Sequence, residues 1–435
     1  MKIKTNSLKG KFKTTVIPAS LCRRSFSEGA KQESSFNKIN ILILKLMKLI
    51  KTTLFLLIVL MVSCKNEVRT TIAITNELNI PRTFETVELT KAALKLTDED
   101  NLEDYGLVDS QQKPQIVQYV DSNNDGKADV LLFQPKMSPN SQSDFTLVKN
   151  KKQTSNKTIC YSRFVPERTD DYAWENDKVA FRVYGPTAQK MVEENIEGGT
   201  LSSGVDCWLK RVDYPIINKW YKKYTEKTGT YHEDTGEGLD NYHVGTSRGC
   251  GGISVKIDST YYNSKNFINY KTITTGPIRT QFSLEYADWD ANGNPVKESR
   301  IITLDKGNNL SKFEISLQGT DIVSIGLTLH KNDGTITKNK ENGWMSYWEQ
   351  LDDSELGTAV VIPNPQDILD FDTYISKTDD VKNQYVEVKV TNNKILYYTG
   401  FGWKKSKQIH TNNEWTSYLN TFSKRIQSPL KVIIN

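Results

Sequence analysis

The sequence predicts an all-β protein, a large antiparallel β-sandwich with few short helices. Three observations predict it. Short runs rich in β-branched and aromatic residues alternate apolar with polar positions along most of the chain. Clusters of Asn, Asp and Gly punctuate them, and the segments 290–294 (DANGN) and 332–334 (NDG) read as hairpin turns. Helical periodicity is confined to two stretches, 187–196 and 413–426.

In chain order the first strands fall at 70–78, 116–121, 129–134 and 143–148. TTIAITNEL, IVQYVD, DVLLFQ and SDFTLV alternate apolar and polar residues and carry many β-branched or aromatic side chains, the pattern of antiparallel sheet. The next group is 179–185, 253–257, 278–289, 298–304 and 310–319, and the last is 323–330, 358–363, 385–390 and 395–401. In the second helical stretch Trp415, Leu419, Phe422 and Ile426 are spaced four, three and four apart, one face of a helix that packs on the outside of a sheet. No repeat or long linker interrupts residues 65–435, which are expected to form one sandwich domain.

The chain begins differently. Residues 54–63 (LFLLIVLMVS) are apolar, follow Lys48 and Lys51, and end at Cys64. This run is too short to span a bilayer and has the form of a secretory signal with a lipidation site at Cys64. The signal is assigned to 47–63, starting at Met47, and 1–46 to an upstream extension. The first 64 residues carry 12 Lys/Arg and 2 Asp/Glu, leaving 45 basic and 50 acidic side chains, a net charge of −5, in place of +5 for the whole chain. The basic balance therefore belongs to the leader, and nucleic acid is excluded as the expected partner. After Cys64 the cysteines are Cys160, Cys207 and Cys250, an odd number, with Cys207 and Cys250 the candidate pair for one disulfide.

Three segments are too polar and aromatic to read as framework alone. Residues 231–252 (YHEDTGEGLDNYHVGTSRGCGG) hold two of the four histidines, His232 and His243, with Tyr231, Tyr242, Glu233, Asp240, Arg248 and six glycines. Such a run reads as a loop carrying a site. Residues 168–186 place Trp174 among Glu175, Asp177 and Arg182, an aromatic platform with polar groups of the kind a sugar needs. Residues 204–215 offer Trp208 and Arg211, whose planar fork suits a carboxylate or sulfate. His330 and His410 are isolated and read as structural.

Asp121, Asn123, Asp125 and Asp129 stand at positions 1, 3, 5 and 9 of a loop with Gly126 at position 6, like the start of an EF-hand calcium loop. Leu132 replaces the bidentate glutamate, so calcium competes there with a plain Asx-rich hairpin. The two loop histidines lack zincin spacing, no CxxC pair occurs, and no G-x-S-x-G marks a hydrolase nucleophile.

Taken together, TIAITNELNIPRTFETVEL, DSNNDGKADVLLFQ, WENDKVAFRVYGP, GVDCWLKRVDYP, YHEDTGEGLDNYHVGTSRGCGG and DDSELGTAV resemble a lipoprotein family of polysaccharide-utilisation systems, long classed as a domain of unknown function. The likeness covers roughly residues 70–432. Within the family the chain is most similar to oligosaccharide dehydratases of ulvan degradation. The resemblance implies a galactose-mutarotase-like supersandwich anchored by lipid to the outer membrane, facing periplasm or surface. It implies removal of water from a non-reducing-end glucuronic or iduronic acid beside sulfated rhamnose, leaving a 4,5-unsaturated end. No cofactor is required by that chemistry.

Such a β-elimination needs a cation for the carboxylate, a base near C5 and an acid for the departing hydroxyl. Arg248, with Arg182 or Arg211, is the candidate cation; His232 or His243 the base; Tyr242 or Tyr231 the acid; Glu233 or Asp240 the group that orients a histidine. Two other classes use the same residues: a lyase cleaving a uronic-acid linkage, and a non-catalytic glycan-binding lipoprotein.

Overall fold

The computed structural model describes residues 41–52, 70–149, 157–378 and 381–435. Residues 41–52 are helical and exposed, and belong to a unit, Met1–Val68, separate from the body Arg69–Asn435. The apolar run 54–63 and Cys64 lie outside the described residues. Among the described residues no helix is long and apolar enough to cross a membrane.

The body is all-β and its ladders are antiparallel. A nine-stranded sheet forms its broad layer, including Arg279–Tyr286, Asn294–Asp305, Leu310–Gln318, Lys394–Trp403 and Ser354–Val361. Two five-stranded sheets complete the same core. One contains Cys250–Ile257, Ile322–Thr328 and Asn383–Lys389; the other contains Asp171–Glu175, Ala180–Val183 and Asp206–Lys210. Phe282, Ile302, Phe313 and Tyr397 meet Ile253, Ile325 and Val386 from the first and Trp174, Phe181 and Leu209 from the second. Alternation along each strand delivers these side chains to one interior.

A smaller sandwich precedes this core. Its four-stranded sheet pairs Thr71–Asn76 with both Ser141–Lys149 and the last strand, Lys431–Ile434. Its three-stranded partner contains Val87–Thr90, Val130–Phe133 and Val117–Val120, and Ile72, Leu89, Leu131 and Phe145 fill the space between. Arg279 ties the layers together, 2.6 Å from Glu88 and 2.6 Å from Asp305.

Most expected elements lie within a few residues of their sequence positions. Asn292 and Gly293 both have positive φ (54° and 86°), as a two-residue primed turn requires. The Asn332–Gly334 segment differs: Ile322–Thr328 and Thr335–Asn339 belong to different sheets, so the chain crosses between layers there and forms no hairpin. Helices form at Pro186–Glu193 and Asn412–Gln427; the second buries Trp415, Leu419 and Phe422 against Trp344 and Trp348 and is capped by Thr411. A third helix, Ile217–Thr225, was not legible from periodicity.

Candidate functional site

The site is built on one sheet and one loop. Strand register sets Arg182 opposite Asp206 on one side and Ala173 on the other. The loop 231–246 lies over these strands and adds Asp240. Two glycines hold it against the sheet, Gly238 within the loop (φ +111°) and Gly249 just beyond it (φ +59°), where a Cβ would come 1.9 Å from Leu209 O and 2.1 Å from Val205 O.

Arg182 sits at the centre of three carboxylates. Its Nη2 is 2.6 Å from Asp206 Oδ2 and 2.9 Å from Asp240 Oδ2, its Nε is 2.9 Å from Asp206 Oδ2, and its Nη1 is 3.6 Å from Asp171 Oδ2. All four side chains are buried. One guanidinium cannot neutralise three carboxylates, and loss of solvent pushes the Asp171 carboxyl up to about 6 and raises Asp206 and Asp240 as well. Tyr184, Trp208 and Tyr231 surround the guanidinium with aromatic faces at 5.2–5.8 Å.

Above this network opens a cavity of about 490 Å³, lined by Arg168, Arg182, Tyr184, His232, Asp240, Tyr242 and His243, among others. His232 Nδ1 lies 2.8 Å from the Asp240 backbone carbonyl. A carbonyl only accepts, so Nδ1 carries the hydrogen, and in the neutral ring Nε2 keeps a lone pair. Arg168 donates to Tyr231 Oη (3.2 Å) and Thr169 Oγ1 (2.9 Å) and forms no ion pair with a carboxylate among the described residues. His330 Nε2 donates to the His243 carbonyl (2.9 Å) while Nδ1 meets Glu349 Oε1 at 2.7 Å, which pins the loop beside His243. His330 itself has φ +44°, an uncommon backbone for a non-glycine residue, though one that histidine adopts more than most.

The remaining sequence candidates take other places. Arg248 is 2 % exposed, donates to Ser203 Oγ and to the Ile253 and Thr246 carbonyls, and lies outside the cavity lining. It cannot hold a ligand carboxylate there. Tyr231 turns its hydroxyl to Arg168 and Arg182, so it orients them. Tyr242 reaches the cavity wall, but its hydroxyl is buried and its ring stands edge-on to His330 at 4.7 Å. Glu233 is exposed and outside the cavity lining.

Trp174 and Trp208 are fully buried core residues, so neither can be a sugar platform; Trp174 stacks on Phe181 and donates to Ser311. Glu175 accepts from Ile216 N and Ile217 N at the start of the helix Ile217–Thr225 and meets Lys210 Nζ at 2.7 Å. Asp177 accepts from Gly307 N, and Arg211 pairs with Asp234 on the surface. In the 121–129 loop, Asp121 accepts from the amides of Asn124, Asp125 and Gly126, Asn123 from Asp125 N, Asp125 from Lys127 N, and Asp129 from Ser122, the arrangement of an Asx-rich hairpin. Cys160, Cys207 and Cys250 are buried free thiols, so the expected Cys207–Cys250 disulfide is not formed. His410 donates its amide to Glu414 at the C-terminal helix.

Arg168 and Tyr184 were missed as individual site residues. Both lie in the 168–186 segment and line the cavity with Arg182.

Fold and site define a β-sandwich protein with a polar cavity of cations, imidazoles and phenols at one sheet. The chain belongs to the family described as "Domain of unknown function (DUF4861)", whose model matches residues 74–432. It is 53% identical over 367 residues to "Uncharacterized protein P7" of Formosa agariphila, covering 83% of this chain and 93% of that protein. Among solved structures it is similar to a glycosyl hydrolase family 38 protein from Enterococcus faecalis (10% identity, TM-score 0.48) and an alpha-mannosidase from Enterococcus faecalis V583 (9% identity, TM-score 0.42). These alignments cover 85% of this chain but only 48% and 46% of those proteins, so the chain spans about half their length.

Proposed function

We propose that this protein is a carbohydrate-active dehydratase that removes water from a terminal uronic acid of an anionic oligosaccharide. The substrate class is that of ulvan, glucuronic or iduronic acid beside sulfated rhamnose, and the product carries a 4,5-unsaturated uronyl end. One observation carries the reading: the cavity sets Arg168, a guanidinium that makes no ion pair with a carboxylate among the described residues, on the same wall as His232, whose Nδ1 is held as a donor so that Nε2 can accept a proton.

The order of events follows from those two groups. Arg168 takes the uronate carboxylate, to which Arg182 contributes less because three aspartates already surround it. The cation stabilises the enolate-like charge that grows as the C5 proton leaves, the term expected to dominate such a reaction. His232 Nε2 removes that proton, the electron pair forms the C4–C5 double bond, and the C4–O bond breaks with the hydroxyl departing as water. His243, on the same wall, contacts the sugar ring. Lipidation at Cys64, retained from the sequence reading, would place the reaction at the outer membrane.

The test is mass spectrometry of defined uronyl-ended oligosaccharides after incubation. Loss of one water with chain length unchanged supports the reading. Cleavage without water loss identifies a lyase, and binding without mass change a glycan-binding protein; either result replaces it.

A further inference from the structure

We propose that the protein carries a second binding site for anionic oligosaccharide, a cleft between its two sandwiches centred on Phe84 and Lys113, Lys136 and Lys306. The choice of ligand rests on the reading above; the cleft itself does not. It shares no residue with the cavity of His232 and Arg168. A sugar site pairs an aromatic face with polar groups, and Trp174 and Trp208, the platforms expected from sequence, are buried in the core. Phe84 is an aromatic side chain left open, 37% exposed.

The Phe84 ring rests on Gly307, where a Cβ would come 2.2 Å from it, and the Phe84 carbonyl accepts from Asn308 Nδ2 at 3.1 Å. The main body therefore holds the ring in place. On one side of it opens a cavity of about 500 Å³, walled by Lys113 and Lys136 of the smaller sandwich and Lys306 of the main body. On the other side lies a cavity of about 210 Å³ that includes Arg425. Phe84 is the wall they share. The two sandwiches are tied together here: Gln134 Nε2 donates to the Lys306 carbonyl (3.1 Å) and to Thr86 Oγ1 (3.2 Å), and Arg279 joins Glu88 to Asp305. The cleft is thus a formed feature of the fold.

Charge selects the ligand. Lys113, Lys136 and Lys306 form no ion pair with a carboxylate among the described residues. Two carboxylates share the larger cavity. Asp109 is committed to its own turn, accepting from Gln111 N (3.0 Å), Lys113 N (2.9 Å) and Gln115 Nε2 (3.2 Å), and Asp144 lies 3.5 Å from Gln142 Nε2. Three ammonium groups without partners therefore gather on a chain that is net acidic after residue 64. In the smaller cavity Arg425 Nε is buried without a hydrogen bond, its carboxylate neighbour Glu85 Oε2 standing at 3.7 Å. A sulfate or uronate oxygen would satisfy such donors. Lysines are point charges on flexible stems and accept anionic groups at varied positions, which suits holding a chain, whereas a planar guanidinium fork such as Arg168 suits orienting one carboxylate. The open face of Phe84 would take the apolar face of a sugar ring between these charges.

The experiment measures binding of a fluorescently labelled, sulfated, uronate-containing oligosaccharide to the whole chain by anisotropy, with melting midpoints checked. The combined variant Lys113→Gln, Lys136→Gln, Lys306→Gln changes solvent-facing groups, and should bind about tenfold more weakly at low salt. It should also lose most of the salt dependence that wild type shows. Its turnover of a short uronyl-ended substrate that fills only the His232 cavity should stay within about twofold of wild type, since the sites are separate. Phe84→Ala should weaken the oligosaccharide by about fivefold while leaving the affinity for short-chain polyphosphate, a probe with charge and no sugar, unchanged. A triple-lysine variant that binds the oligosaccharide as wild type does overturns the cleft, as does a Phe84→Ala variant that loses nothing or a wild type that does not bind. Lysine-dependent binding by a wild type that releases no water leaves the cleft standing and removes the dehydratase reading.

Discussion

Asp240 holds two groups at once: its backbone carbonyl lies 2.8 Å from His232 Nδ1, and its side-chain Oδ2 lies 2.9 Å from Arg182 Nη2. The residue therefore couples the imidazole in the cavity to the buried charge network beneath it. The backbone contact fixes the tautomer, and the side chain fixes where that backbone sits.

His232→Ala should reduce turnover by about 10²–10⁴-fold, the usual range for a positioned base. His232 is about half exposed, with a side-chain exposure of 51%, so the fold should survive the change. Initial rates of unsaturated-product formation by ultraviolet absorbance decide it. Undiminished turnover would remove His232 from the chemistry.

Arg168 and Arg182 should separate cleanly. Arg168→Gln should raise KM and lower kcat/KM at a smaller stability cost than Arg182→Gln, because Arg168 makes no ion pair with a carboxylate among the described residues and acts on Asp171 and Asp240 only at longer range. Arg182→Gln should destabilise the fold by roughly 3–5 kcal/mol, because it strands buried carboxylates. Denaturant melts and steady-state kinetics on both variants test the contrast; equal stability losses would contradict it.

The acidic cluster predicts a pH dependence of stability. Asp171 has its carboxyl raised from 3.8 to about 6, so the folded state binds more protons than the unfolded chain between those values. Its favourable contribution is complete below 3.8 and lost as pH rises through about 6. Relative to Asp171→Asn, wild type should therefore gain roughly 3 kcal/mol on going from pH 8 to below pH 4. Urea titrations of both proteins across that range give the difference directly, and a flat difference would refute the assignment.

Arg248 and Glu175 should act through stability. Arg248→Lys breaks donations to Ser203 and to two carbonyls, and should cost about 1–3 kcal/mol with kcat of the folded fraction preserved. Glu175→Ala leaves Lys210 buried without its partner and uncaps the helix Ile217–Thr225, a loss of roughly 3–5 kcal/mol. Selective loss of turnover at unchanged stability in either variant would return that residue to the site.

The layers were legible because alternation marks half-buried strands, as in Thr71–Asn76 and Leu310–Gln318. Legibility failed at Asp171–Glu175 and Asp206–Lys210, where every residue is buried and charged side chains compensate one another across strands. A sequence shows Glu175 and Lys210 as polar, and polar reads as surface or site; their 2.7 Å pairing is a tertiary fact. The same blindness placed Trp174 and Trp208 at a ligand and Arg248 at a carboxylate. The loop 231–246 stands out because glycine, histidine and acid density has no framework explanation, whereas Arg168, at the end of the turn Pro166–Arg168, and Tyr184, just after the strand Ala180–Val183, reach the same cavity through tertiary packing that a sequence does not show.

The pairing of Thr71–Asn76 with Lys431–Ile434 has a consequence for rearranging the chain. The two ends of the body are hydrogen-bonded neighbours, with Thr71 and Asn435 joined backbone to backbone. A short linker from Asn435 to Thr71 would therefore close the body into a ring, and reopening it at the exposed Asn292–Gly293 turn would give a circular permutant with every ladder retained. In that permutant the cavity strands and the loop above them would stay contiguous in sequence as well as in space.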